Sequence, residues 1–558
     1  MTFNSYEFFA LFGVVLALYW TLPARFRVPL LLATSYLFYG WWNWRFLFLI
    51  VASTAVDYQV ARMVAATDDP VRRKRLLLIS IAVNLVILGS FKYFNFFLGS
   101  FETVLQRIGF SGTDWALRVA LPVGISFYTF QSMAYTIDVY RRRLEPCADP
   151  LVFATYVSFF PQLVAGPIER AERLLPQIAD LPRRVPAVMV REGLDLILIG
   201  LFKKIAIADV VQRVVTDAFT NTTSSADGVL VFPAPDSWTT LAMGVAAFAI
   251  GAYGDFSGYS DIARGTAKLL GIDLMRNFTQ PFRSHGQAEF WRRWHASLMN
   301  WFRDYVYIPL GGNRGGTWRR SRNVLIVFTL SGLWHGATWN FVIWGFLVGV
   351  LVLSEDLIRR RFNRPPPPPY DLAPGGARHA AVLNDGAISW PAVRGVAARA
   401  TGRVWVFVAF AAPMVFFRAN SFDQAMDVWH GLFTLAPGPI NTAHVLTLVY
   451  AFVAVIVIDR HLLSLDHLED ARRLRAGELV SASAVSFDAS GAVARSGDEL
   501  WHDDDAHVEH AFNRPGGFLG RHRSIAATWR WHVRDGLIIV AIIIFSGGMP
   551  EPFLYFQF

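Results

Sequence analysis

Runs of about 20 apolar residues, the length that crosses a hydrocarbon core as a helix, recur along this chain and restrict its fold more than any other feature. They fall at Phe8 to Leu22, Leu30 to Trp42, Phe46 to Ala65, Leu76 to Phe97 and Val119 to Val139, and recur down to a last run from Leu537 to Gly547. Inside a bilayer every backbone N–H and C=O must be satisfied by the protein itself, so runs of this length form helices. Hydrophobic residues make up 54% of the 558 and charged ones only 17%, a balance that cannot clothe a water-exposed surface. The expected fold is all-α: a polytopic integral membrane protein of roughly ten to twelve membrane helices plus re-entrant segments. The first run has neither a basic start nor a small-residue cleavage site, so it is expected to stay as the first span. Cys147 is the only cysteine, which excludes an internal disulfide and a cysteine zinc cluster.

Short loops rich in Lys and Arg are held on the cytoplasmic side. Arg25 and Arg27 follow the first span, "PVRRKR" (70–75) the third and "VYRRR" (139–143) the fifth, whereas "WWNW" (41–44) and "FSGTDW" (110–115) are poor in cations and rich in interfacial tryptophan. This alternation places the N-terminus outside. The net charge of +9 then reads as an orientation signal, and no nucleic-acid partner is expected. Two polar stretches interrupt the pattern. The first contains five consecutive prolines, which favour an extended spacer. The second contains "WHDDDAHVEH" (501–510), where solvated charge is the expected reading and no metal site is assigned. The chain thus divides into a membrane core at 1–358, a proline-rich cytoplasmic loop at 359–400, membrane helices at 401–460, a polar cytoplasmic insertion at 461–530, and a terminal membrane helix and tail at 531–558. No internal repeat is found, and "GGNRGG" (311–316) lacks the Lys-Ser/Thr ending of a phosphate loop.

One ionisable side chain stands inside "LSGLWHGATWNFVIWGFL" (330–347): His335. The apolar run around it, Val324 to Leu353, is flanked by "RRSR" and "RRR". As one straight helix it would rise about 45 Å, beyond a core of about 30 Å, and would put cations on opposite faces. The simpler expectation is a chain that enters, breaks near Gly332, Gly336 and Ala337, and returns. A histidine about 18 Å deep, next to a break, is expected to face a cavity. A buried histidine is often a mere packing residue, but ionisable groups inside a membrane are costly and usually functional.

A second candidate lies in "RNFTQPFRSHGQAEFWRRWHASLMNWFRDYVYIPLGGNRGG" (276–316). Phe290, Trp291, Trp294, Leu298, Trp301, Phe302 and Tyr305 make an apolar side at helical spacing, with Arg292, Arg293, His295, Arg303 and Asp304 around it. The segment is too polar to span and is expected to be re-entrant or interfacial. An interfacial helix would account for the arginines and tryptophans but does not call for His295 or Asn300. The cations are also suited to the phosphates of a bulky acyl carrier.

These two phrases resemble the membrane-bound O-acyltransferase family, in particular its bacterial, alginate O-acetyltransferase-like branch. So do "LPVGISFYTFQSMAYTIDVYR" (121–141), "FFPQLVAGPIER" (159–170), "LFKKIAIAD" (201–209), "DFSGYSDIARGTAKLLGI" (255–272), "PMVFFRANSFDQA" (413–425) and the final "PFLYFQF" (552–558). The resemblance implies helices around a central tunnel that admits acetyl-CoA, as acyl donor and not as a bound cofactor, from the cytoplasm and an acceptor from the other side. It implies an O-acyltransferase of the bacterial cytoplasmic (inner) membrane. In that family the histidine matching His335 is the invariant catalytic one, and the position matching His295 is Asn or His depending on the branch. Arg292, Arg293, Arg303, Asn300 and Trp334 are then the candidates for donor binding. The two polar stretches depart from the family pattern.

Transfer from a thioester to a hydroxyl needs a base for the hydroxyl proton and donors for the oxyanion. A neutral imidazole at His335 suits the first task, and a covalent acetyl-imidazole there is the mechanistic alternative. His295 suits orienting the acceptor, polarising the carbonyl or passing a proton. The expected function is acetyl transfer across the membrane toward an extracellular polysaccharide, through a separate extracytoplasmic acetyltransferase partner. The alternatives are another envelope acceptor (peptidoglycan, cellulose or teichoic acid) or a transporter with a histidine proton relay, although transporters usually show paired repeats.

Overall fold

The structure is a computed structural model that describes residues 1–109, 121–219, 223–224, 230–231, 237–362, 390–435, 437–438, 440–475 and 525–545. The run of prolines, the 501–510 stretch and the final "PFLYFQF" lie outside the described residues. Among the described residues the regular structure is helical apart from one antiparallel pair of two-residue strands, Thr223–Ser224 and Leu230–Val231.

Six helices among the described residues are long and apolar enough to cross a membrane: Ala24–Ala65, Pro70–Arg107, Trp238–Leu269, Trp339–Arg361, Ala400–Arg418 and Thr442–Leu462; Tyr6–Thr21 is apolar but shorter. The count covers the described residues alone and does not confirm the ten to twelve expected across the chain. One reason is that hydropathy does not tell a lipid-facing helix from one enclosed by protein. Ile125–Tyr140, which overlaps the apolar window 119–139, is buried along nearly its whole length and carries Ser126, Thr129, Gln131, Ser132 and Thr136 in its buried set. Another is that one long stretch holds two helices: the backbone at Asn43 is extended (φ −161°, ψ 107°) and separates Arg27–Asn43 from Leu47–Ala65.

Pro70–Leu88 takes in "PVRRKR", expected from the sequence as a loop, because Asp69 accepts from Val71 N at 3.0 Å and Pro70 stands in the first turn. It passes through a π-turn at Gly89–Tyr93 into Phe94–Arg107. A buried polar knot ties it to its neighbours. Asp57 accepts from Ser80 Oγ at 2.5 Å and from Asn84 Nδ2 at 2.8 Å, and Ser132 Oγ donates to Asn84 Oδ1 at 3.3 Å. In a low-dielectric interior these bonds fix the register of three helices, because any slip leaves buried polar groups unpaired.

Two apolar cores result. One contains the N-terminal helices and reaches Phe256, Leu298, Trp301 and Trp334. The other contains Tyr253, Trp291, Trp294, Phe341, Trp344 and Phe417. The 32-residue helix Trp238–Leu269 serves both. It packs against Ala187–Phe202 at glycine contacts so close that a Cβ on Gly200 would lie 2.6 Å from Gly258 O, and one on Gly265 would lie 2.5 Å from Gly193 O. Small residues at a crossing let helices approach where lipid gives no hydrophobic drive for association. The two histidines singled out in the sequence lie where the two cores meet.

Candidate active site

The chain from 316 to 361 breaks as expected. Helix Gly316–His335 ends at Gly336, whose backbone is extended (φ −157°, ψ 150°), and Trp339–Arg361 begins after Thr338. The two helices form an antiparallel hairpin in which Gly332 faces Gly345, and Gly349 faces Leu325 and Phe328. His335 is therefore the last residue of a helix, half-buried, with its ring walled by Trp334, Trp344 and Phe417 at centroid distances of 5.0, 5.2 and 5.4 Å.

His295 lies 6.3 Å from His335, ring centre to ring centre. The amphipathic helix expected through this segment is in fact two short helices, Gln287–Arg293 and Ala296–Phe302, broken at His295. The reason is competition for backbone groups. Arg293 O accepts from Thr279 N at 3.1 Å and Ala296 N donates to Asn277 O at 2.9 Å, so two groups that a continuous helix would use are committed to the 277–279 segment. His295 absorbs the break with a left-handed backbone (φ 48°, ψ 49°), a conformation that is costly for a residue with a Cβ and concentrated at functional sites. Phe290, Trp291, Trp294 and Leu298 are all buried, so the segment belongs to the core and not to a surface that snorkels to lipid headgroups.

The same segment sets the chemistry of the His295 ring. Asn277 Nδ2 donates to Ser260 Oγ at 3.3 Å, which turns Oδ1 toward His295 Nδ1 at 3.0 Å. An amide oxygen only accepts, so Nδ1 carries the proton and Nε2 is a bare acceptor. Nε2 is buried and has no hydrogen-bond partner among the described residues. The ring packs on Phe256 at 4.7 Å and Trp334 at 5.7 Å. Asn277→Leu is expected to lower turnover by about 5- to 150-fold, the equivalent of ~1–3 kcal/mol for stranding buried donors. Steady-state kinetics on the purified variant measure this, and unchanged turnover would mean that the tautomer is immaterial.

The sequence candidates for donor binding separate. Arg293 is buried and committed to Glu289 at 3.1 Å and to Thr279 O at 3.1 Å. Arg303 pairs with Asp304 at 2.7 Å beside Arg170, which meets the same carboxylate at 2.7 Å. Arg292 is exposed, Asn300 half-buried and Trp334 buried against both histidines. Reasoning from sequence missed Asn277, Trp344, Phe417 and Lys92. Only Lys92 had a usable signal, as a lone cation inside the apolar window 76–97. No cluster of three or more potential metal-ligating side chains occurs among the described residues.

A helical membrane fold with two imidazoles enclosed by aromatic rings where its cores meet defines a polytopic membrane enzyme. The chain belongs to the membrane-bound O-acyltransferase family, whose model matches residues 117–371. It is 33% identical over 507 residues to the "Probable alginate O-acetylase AlgI" of Azotobacter vinelandii, covering 89% of this chain and 92% of that one. It is 31% identical to the protein of the same name from Pseudomonas syringae pv. tomato over the full length of both. With the "Peptidoglycan O-acetyltransferase" of Helicobacter pylori it shares 35% identity over 381 residues, 63% of this chain and 69% of that one. The chain is a membrane O-acyltransferase.

Proposed function

We propose that the protein moves an acetyl group from cytoplasmic acetyl-CoA across the bacterial inner membrane toward an extracellular polysaccharide of the alginate kind, handing it to an extracytoplasmic acetyltransferase. The observation that carries the chemistry is the contrast between the two imidazoles. His335 is half-buried at a helix end, while His295 is enclosed and locked in one tautomer. His335 takes the proton of the acceptor hydroxyl as its oxygen attacks the thioester carbonyl. The tetrahedral intermediate collapses with cleavage of the C–S bond, and the same proton passes to the departing thiolate. A neutral His295 with a bare Nε2 cannot donate to the oxyanion, and the one proton of the hydroxyl goes to His335, so of its three candidate roles the tautomer favours passing a proton. The buried Trp344 Nε1, without a hydrogen-bond partner among the described residues and on a ring against His335, is the donor best suited to the oxyanion. The similarity to the alginate relatives over the full chain supports the acceptor class, and the shorter match to a peptidoglycan enzyme supports the second reading, another envelope polymer.

Donor capture is tested separately from chemistry. Arg292, Arg293 and Arg303 are the cations proposed to meet the phosphates of coenzyme A, Arg292 exposed and Arg293 and Arg303 held on Glu289 and Asp304. Arg292→Gln and Arg303→Gln are expected to weaken acetyl-CoA binding about tenfold or more, because hydrogen bonds to charged groups are the stronger kind. Equilibrium binding of acetyl-CoA to detergent-purified protein is the measurement. Normal binding by both variants would return these residues to a structural role, and a wild-type protein that binds no acetyl-CoA would remove the proposed donor.

A further inference from the structure

An α-helix leaves its last carbonyls without intrahelical donors, and those of Gly316–His335 lie at the candidate base. Gly332 O still accepts from Gly336 N, at 3.3 Å. The next two carbonyls are met by another element. Tyr93 OH donates to Leu333 O at 3.1 Å, and the Lys92 ammonium donates to Trp334 O and, at 2.9 Å, to Ser126 Oγ. The ammonium also lies 5.6 Å from the centre of the Trp334 ring.

Lys92 and Tyr93 are the last two residues of the π-turn Gly89–Tyr93. Consecutive residues of an α-helix point about 100° apart, whereas a π-turn widens the helix locally and lets neighbours act on one target; such turns concentrate at functional sites. Ser126 comes from the first turn of Ile125–Tyr140, so a second element reaches the peptide that joins Trp334 to His335 through the Lys92 side chain. A lysine inside an apolar helix ordinarily extends toward the nearest water. This one spends its charge on a carbonyl at a helix C-terminus, where the macrodipole favours a cation.

We propose that Lys92 is the positioning residue of the site: with Tyr93 it pins the C-terminal end of the His335 helix and so fixes the base against the acyl group, without touching substrate. The inference rests on His335 acting as base. Its test is the release of coenzyme A from acetyl-CoA by membranes carrying the full-length protein, with kcat and KM measured for Lys92→Met, Lys92→Arg, Tyr93→Phe and His335→Gln at matched abundance. Lys92→Met is expected to lower kcat about tenfold or more with KM for acetyl-CoA within about twofold, since the contact it removes aligns the base and does not bind donor. Lys92→Arg, which keeps charge and donors, is expected to recover most of the loss. Tyr93→Phe should lose less than Lys92→Met, and the double variant less than the product of the two, because both hold one helix end. A Lys92→Met protein with wild-type kcat beside an inactive His335→Gln would overturn this inference alone, and an active His335→Gln would remove the base assignment as well. If Lys92→Met does not accumulate, Tyr93→Phe decides the question: a wild-type kcat there rejects the clamp.

Discussion

Replacing His335 by glutamine is expected to reduce acyl transfer by ~10³-fold or more while leaving protein abundance in the membrane unchanged. General base catalysis is worth typically 10²–10⁴ in rate. Glutamine approximates the size and hydrogen bonding of the ring but cannot accept and return a proton. The side chain is half-buried at the end of a helix whose hairpin contacts are made by Gly332, Gly345 and Gly349, so the crossing of the two helices does not rest on it. Polymer acetylation in cells, scored with the abundance of the variant in membranes, is the measurement; acetylation at the wild-type level would show that the base is elsewhere. A covalent acetyl-imidazole gives the same loss and is separated by acid quench of the wild-type protein with radiolabelled acetyl-CoA, where label retained on a peptide containing His335 marks the nucleophilic route.

The second large effect falls on a residue with no chemistry. A Cβ on Gly332 would lie 2.1 Å from Phe341 O and 3.0 Å from Gly345 Cα, both backbone atoms that cannot rotate away. Gly332→Leu must push apart the hairpin that carries His335 three residues later. Overpacking typically costs ~1–3 kcal/mol where side chains can adjust, and a clash with backbone belongs at or above the upper end. The expected outcome is a protein with a lowered melting temperature in detergent and no turnover. Gly13→Leu is the control: nothing lies within 4 Å of a Cβ there, so the same change is expected to be nearly neutral. A Gly332→Leu protein as stable and active as wild type would mean that the two helices do not cross as described.

Some of the site was legible in the chain. A histidine in an apolar run too long for one span, with Gly336 beside it, called for a break, and the break stands at 336–338. A second histidine among tryptophans 40 residues earlier was marked as the other candidate by residue type and family phrase, and the two rings are neighbours. The periodicity of the 276–316 segment misled. Phe290, Trp291, Trp294 and Leu298 are indeed apolar and buried, but helical spacing does not reveal that Asn277 and Thr279 draw off the backbone bonds at 293–296. Nor did the sequence reveal which carboxylates these arginines meet, Glu289 for Arg293 and Asp304 for Arg303.

The sequence by itself determined the features that depend on amounts and lengths: apolar runs that must be helical because a bilayer offers no partner for the backbone, a break where one run is too long, and the residue types capable of proton transfer. Only the tertiary structure decided the features set by contacts between distant segments. The tautomer of His295 depends on Asn277 and Ser260, the contacts on the end of the His335 helix come from a π-turn more than 200 residues away, and the wall around the His335 ring is assembled from 334, 344 and 417. Apolar runs declare themselves locally because the hydrophobic effect is non-directional and scales with area. Hydrogen bonds are directional and act only at contact, so which donor meets which acceptor is settled when the chain closes on itself.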